Sequence, residues 1–156
     1  MISPERHLID EIRAASRQMV RELGFMDATV AATDYPPSAV HTILEIGIRG
    51  PMTAGQLAEF LHLEKSSVSR MVAKLVACGE LKETPDSGDA RVKPLALTPK
   101  GRRTLAALHD FGRRQVRGAL AQLSDAERRT VHEGLTLYAR ALRTSNTADS
   151  TMDPAA

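Results

Sequence analysis

Residues 53–79 read TAGQLAEFLHLEKSSVSRMVAKLVACG and hold two short helical patterns separated by too few residues for anything but a tight corner. Thr53 and Gln56 have the T-x-x-Q spacing of a capping box, in which each side chain satisfies an otherwise unpaired backbone N–H, so a helix is predicted to start here. Its inward face is Leu57, Ala58, Phe60 and Leu61. The apolar phase breaks at His62, Leu63 and Glu64. It resumes at Val68, Met71, Val72, Leu75 and Val76, which share one face of a second helix. Gly79, free to adopt positive φ, ends that helix. The pair reads as a helix-turn-helix.

The opposite face of the second helix carries Ser66, Ser67, Ser69, Arg70 and Lys74. Short hydrogen-bonding groups sit near its N-terminal end and cations further along. A helix entering the major groove of DNA needs small residues where it meets base edges and cations where it passes phosphates. The same residue types also suit an ordinary solvated helix face, and two-helix corners occur in protein-interaction domains.

Charge distribution bears on that choice. The 156-residue chain has a net charge of +2. Residues 1–48 hold four Arg against seven acidic residues, whereas residues 49–103 hold ten Lys and Arg against six. Positive charge therefore concentrates on the segment containing the corner, as expected if that segment meets phosphates. Aromatic content is 3%, with none of the five aromatics interleaved among the cations of the second helix, which argues against single-stranded nucleic acid and its need for stacking platforms. One cysteine, Cys78, excludes an internal disulfide framework and any multi-cysteine zinc site. No run approaches the ~20 apolar residues needed to cross a bilayer, and no signal-peptide pattern opens the sequence, so the cytoplasm is the expected compartment. With 42% hydrophobic residues, one good core is expected.

Working outward, Leu8, Ile12, Ala15, Met19, Leu23, Met26 and Val30 recur at helical spacing, which predicts one amphipathic helix over 5–31 with Gly24 as its weak point. Tyr35, Pro36 and Pro37 form a break, Ser38 is the expected N-cap, and a third short helix is expected over 39–49. After Gly79, residues 80–84 and 91–97 read as two strands around a PDSGDA turn, a hairpin with Gly88 near its tip. Pro94, which cannot donate to a ladder, suggests an edge. A hairpin directly after such a helix is a wing. Arg91 suits a narrow, electronegative minor groove, and Asp89 could brace it as a planar charge-assisted pair. The alternative is an exposed ion pair on a turn.

Thr98 and Pro99 open a further helix in the favoured N-cap and N1 order, with an apolar stripe from Leu105 to Leu123. Ser124 and Glu127 form an S-x-x-E capping box for a last helix carrying Val131, Leu135, Tyr138 and Leu142. Residues 144–156 lack periodic apolar positions and are expected to be disordered. Together these patterns predict a mainly α chain: a winged helix-turn-helix core at 35–100 with a two-stranded wing, flanked by helical segments at 1–34 and 101–143. The flanking helices carry more apolar surface than a small winged core covers. They either pair only with each other or build a dimer.

The run from Met52 through LAEFLHLEKSSVSRMVAKLVACGEL, the wing residues Asp89, Ala90 and Arg91, and the closing LTPKG at 97–101 resemble the MarR family of bacterial winged helix-turn-helix regulators. The resemblance covers the flanking helices in order and length. It implies a DNA-binding transcription regulator whose terminal helices interlock as a dimerisation domain, so that a homodimer meets a pseudo-palindromic duplex. It implies major-groove contacts by Ser66, Ser67, Ser69 and Arg70 on the recognition helix, 65–78, phosphate contact near Lys74, and minor-groove insertion of the wing, 85–92, by Arg91 braced by Asp89. Lys65 and Lys93 join the cations expected to displace counterions. It further implies a small aromatic or phenolic ligand in a pocket between the dimer helices and the DNA-binding lobe, for which Arg17, Arg21, Tyr35 and His41 are candidates. Glu64 departs from the family pattern, where shorter caps such as Asp or Ser are frequent.

An enzyme is disfavoured. No Gly-rich phosphate loop, G-x-S-x-G or H-E-x-x-H is present, and the five histidines have no recurring ligand spacing, so neither a catalytic centre nor a metal or cofactor is expected. Two other readings compete: a winged protein-interaction module, and a thiol redox sensor using Cys78. Sensors of the family usually place the thiol in the first helix, which here has none. At the end of the recognition helix a small filler is the plainer role for Cys78.

Overall fold

The computed structural model describes residues 3–85 and 92–151. Elements follow the order α1 (Pro4–Glu22), α2 (Pro37–Arg49), α3 (Ala54–Leu61), α4 (Lys65–Ala77), β1 (Leu81–Glu83), β2 (Leu95–Leu97), α5 (Pro99–Leu120) and α6 (Asp125–Thr151). The chain falls into two compact units, Met1–Arg113 and Arg114–Ala156.

The first unit has its core where α2, α3, α4 and the two strands meet. Ile43 of α2, Leu57 of α3, Val68 and Leu75 of α4, Leu81 of β1 and Leu95 of β2 are all buried. Burying each such side chain is worth about 1.5–3 kcal/mol relative to exposure, so this cluster dominates the stability of the unit. Leu108, from the second turn-pair of α5, joins the same cluster, and Val30, Ala31 and Tyr35 pack against it from the α1–α2 connection. The strands pair antiparallel, with Leu81 opposite Leu97 and Glu83 opposite Leu95.

Several boundaries differ from the sequence-based expectation. The first helix stops at Glu22 and does not reach 31. Gly24 turns to φ +80, and Ala31 and Ala32 lie at φ 57 and 54, so the chain leaves the helix and bends back onto the core. Met26 and Val30 keep the helical phase, which is why the pattern overran. Helix α2 begins at Pro37 with Pro36, not Ser38, as its N-cap; the preset φ of Pro37 suits the first helical position, and the Ser38 carbonyl is used as acceptor for Thr42 Oγ1 at 2.9 Å. The strands are three residues each, shorter than expected. The ladder ends where Pro94 offers no N–H, and Thr84 closes it by donating both its N–H and its hydroxyl to the Pro94 carbonyl, at 2.8 and 2.9 Å. Nor is β2 an open edge at this point: Leu95 and Met52 exchange hydrogen bonds at 2.7 and 3.1 Å on its other side.

In the second unit the end of α5 turns into α6 through the expected capping box, with Glu127 donating its N–H to Ser124 Oγ at 3.2 Å and accepting from Ser124 N–H at 2.8 Å. These bonds hold the Glu127 carboxyl below its usual range. The residues expected to be a disordered tail are helical as far as Thr151. Residues 144–151 contain neither Gly nor Pro to stop the helix, and the Thr144 and Thr147 hydroxyls bond carbonyls one turn back. Among its described side chains α6 buries none, and Val131, Leu135, Leu137, Tyr138 and Leu142 stand exposed.

Candidate nucleic-acid interface

The corner forms as the sequence dictates. Thr53 Oγ1 accepts from Gln56 N–H at 3.1 Å while Gln56 Oε1 accepts from Thr53 N–H at 3.0 Å, completing the capping box of α3. That helix ends on His62 in the left-handed region at φ 53, ψ 44. The αL residue reverses the chain, so three residues suffice to launch α4. Glu64 serves as N-cap of α4 without any side-chain cap bond. Its backbone alone sets the start, and the first N–H groups of α4 gain no cap from it.

Val68 and Leu75 anchor α4 in the core, with Met71 and Val72 partly buried beside them; Val76 is left exposed. Burial of that stripe forces the other face outward. Lys65, Ser66, Ser69, Arg70 and Lys74 are exposed and Ser67 is half-buried. Arg70 reaches back to Ser67 Oγ at a long 3.4 Å, and neither Arg70 nor Lys74 has an acidic partner among the described residues. A rigid helix thus presents hydroxyls and two uncommitted cations to solvent. Lys93, by contrast, pairs with Glu83 across the hairpin at 3.3 Å, an exposed contact worth little energetically. Asp89 and Arg91 lie outside the described residues, as does most of the expected wing.

What fixes the far end of α4 escaped the sequence reading. Helix termini leave carbonyls unpaired. Here Lys100 Nζ donates to the Cys78 carbonyl at 2.7 Å, the Thr98 hydroxyl to that of Gly79, and Thr98 N–H to that of Glu80 at 3.0 Å. The Thr98 hydroxyl also caps α5 by accepting from Gly101 N–H at 3.0 Å. Glu80 itself is 2% exposed. Its Oε1 accepts from the Tyr35 hydroxyl at 2.8 Å and lies 3.7 Å from Lys100 Nζ, whereas Oε2 has no hydrogen-bond partner among the described residues. Burial, reinforced by the Glu80 carboxylate, pushes the Tyr35 phenol well above its usual range, so it stays a donor. The sequence signal was an acid directly after a helix-ending glycine and before a buried leucine.

The structure brings Tyr35 into a cavity of about 520 Å³ between the start of α2 and α4, where it meets Ser67, Arg70, Met71, Lys74 and Cys78. The other three residues considered for a ligand pocket are not in its lining. Arg17 and Arg21 are exposed on α1, and His41 stacks on Phe25 with ring centroids 5.7 Å apart and planes 18° from parallel. No group of His, Cys, Asp and Glu that could hold a metal occurs among the described residues. Nor is any described helix long and apolar enough to cross a membrane.

Residues 33–92, spanning α2, the corner and the start of the hairpin, match the model of the MarR family. The Bacillus subtilis HTH-type transcriptional regulator YfiV is 25% identical over 109 residues, 70% of this chain and 68% of that protein. Over residues 33–92 the chain is thus similar to the MarR family of transcription regulators, and it has their winged helix-turn-helix fold. Among solved structures, a probable transcriptional regulator from Pseudomonas aeruginosa is 26% identical with a TM-score of 0.67, covering 84% of this chain and 98% of its own. FabT of Streptococcus pneumoniae, solved in complex with DNA, shares the fold at a TM-score of 0.72 and 23% identity, with 88% and 97% covered. Helix α4 is the second helix of the helix-turn-helix, and β1 and β2 form the base of the wing.

Proposed function

We propose that the chain is a MarR-family regulator and binds a pseudo-palindromic duplex operator as a homodimer, with α4 of each copy in the major groove. In this reading Ser66, Ser67, Ser69 and Arg70 meet base edges, Lys65 and Lys74 meet phosphates, and the wing at 85–92 enters the minor groove through Arg91 braced by Asp89. Lys93 adds to the phosphate field. Residues 1–34 and 101–143 supply the dimer contacts, and a small molecule releases the DNA in the cytoplasm. The observation that carries the reading is the outward face of α4, whose hydroxyls and uncommitted cations are held rigid by Val68 and Leu75 beneath. Similarity to FabT, solved on DNA, supports it. Exposed apolar side chains on α1 and α6, among them Leu8, Ile12, Leu135 and Leu142, support the dimer.

The test is binding to a duplex selected from genomic fragments, followed by anisotropy across a salt series. Affinity is expected to fall steeply as salt rises, since several cations in two copies displace counterions. Arg70→Ala is expected to cost about 1–3 kcal/mol per half-site and to relax the base preference at one position. A salt-independent affinity, or an unchanged site preference in Arg70→Ala, refutes the assignment of α4.

A further inference from the structure

We propose that Glu80 is a positioning residue for DNA reading: its buried carboxylate fixes how the base of the hairpin stands to α4. The inference rests on the roles proposed above for α4 and the wing. Glu80 lies between Gly79, which follows α4 at φ 77, and the buried Leu81, which opens β1. A glycine gives such a corner freedom, and Glu80 removes it. Its N–H donates to the Leu75 carbonyl at 2.9 Å, its carbonyl accepts from Thr98 N–H at 3.0 Å, and its Oε1 accepts from the Tyr35 hydroxyl at 2.8 Å. Tyr35 is itself a fixed post: its N–H donates to Thr33 Oγ1 at 3.1 Å and its carbonyl accepts from Val30 N–H at 3.0 Å. Lys100 adds a third hold, standing between Glu80 Oε1 and the Cys78 carbonyl. As a source of stability this carboxylate is a poor choice. Oε2 has no hydrogen-bond partner among the described residues. A buried polar atom left unpaired costs free energy, and an apolar side chain of similar volume often serves as well or better. What an apolar side chain lacks is direction, since a hydrogen bond fixes both distance and angle. Direction matters here because a strand rises about 3.3 Å per residue, so a tilt at Leu81 grows toward the wing at 85–92.

The test separates position from stability in the full-length protein. In Tyr35→Phe/Glu80→Leu both polar partners become apolar, and the urea midpoint is expected to equal or exceed that of wild type. Affinity for a duplex selected by the wild type is expected to fall about tenfold, because the wing must then be ordered on binding. The loss is expected at the flanking base pairs, while the core preference set by α4 survives. Hydrogen exchange at the Glu80 and Thr98 amides is expected to quicken about tenfold while the slowest core amides keep their rates. Glu80→Gln keeps an acceptor for Tyr35 and is expected to recover most of the affinity. A double variant with wild-type affinity and flank preference overturns the proposal, as does one less stable than wild type. So does a Glu80→Gln protein as weak as the double variant, which would assign the effect to charge. If the wild type selects no duplex, the DNA reading fails alone and exchange decides the tie: faster rates at Glu80 and Thr98 in the double variant uphold it, and unchanged rates overturn it.

Discussion

Helices α4 and α6 have apolar stripes of similar spacing, yet α4 buries Val68 and Leu75 completely while every described side chain of α6 remains exposed. The contrast lies in what each helix meets, since the pattern of residues is alike. The stripe of α4 is covered by α2, α3 and the hairpin, so its outward face is fixed from within the chain. On α1 and α6 the corresponding surface is left for something else to cover. The proposed dimer would cover the exposed apolar side chains of α1 and α6. In that reading, stability of the winged core belongs to one chain, and that of the terminal helices to the dimer.

The largest effect is expected at the joint between α4 and α5. A Cβ at Gly101 would stand 2.2 Å from the Glu80 carbonyl oxygen, and neither backbone can yield. Gly101→Ala is expected to cost on the order of 3 kcal/mol or more in urea unfolding. Next, Leu75→Ala should cost about 2–5 kcal/mol at any protein concentration, as a cavity opens in the core. Leu135→Ala should instead weaken association, visible as a loss of dimer on dilution. If the two variants behave alike, the contrast drawn between the helices is wrong. Tyr35→Phe removes a donor from the buried Glu80 carboxylate and should cost about 1–3 kcal/mol; a neutral result would show that Lys100 alone suffices.

The smallest effect concerns pH. Glu127 is held below its usual range by the Ser124 backbone and hydroxyl bonds. A carboxyl lowered on folding stabilises the folded chain above the ordinary carboxylate range, and that contribution fades as pH falls through the lowered value. The difference in thermal unfolding between wild type and Glu127→Gln should therefore shrink between pH 7 and pH 3, and helix content of α6 by circular dichroism should follow it. A difference that grows toward low pH would show that the capping box is not formed in solution.

Local signals were legible in the sequence, and their accuracy has a physical cause. Capping boxes at Thr53 and Ser124 and the Thr98–Pro99 start are chemistries of four residues or fewer that need no distant partner. The end of α1 was not legible, because Met26 and Val30 stay in phase and nothing about Ala31 and Ala32 announces a left-handed backbone. The cations of α4 could be read from the stripe opposite them. Glu80 could not, since its partner Tyr35 is 45 residues away and an isolated acid resembles any strand residue. The cavity was hidden for the same reason: its two walls come from residues 34–39 and 67–78, and periodicity within one helix says nothing of the space between two.

At Gly101 the first turn of α5 runs so close to the Glu80 carbonyl that a methyl group has no room, and Thr98 and Lys100 grip the three successive carbonyls of Cys78, Gly79 and Glu80. Two bodies held with neither clearance nor free bonds transmit displacement without slack. Mechanically the junction is a weld: tilting the root of α5 means carrying the exit of α4 and the first residue of β1 with it, or breaking all three bonds together. The end of α4 and the base of the hairpin are thus tied to the root of α5 as one piece, with the buried glutamate at the joint.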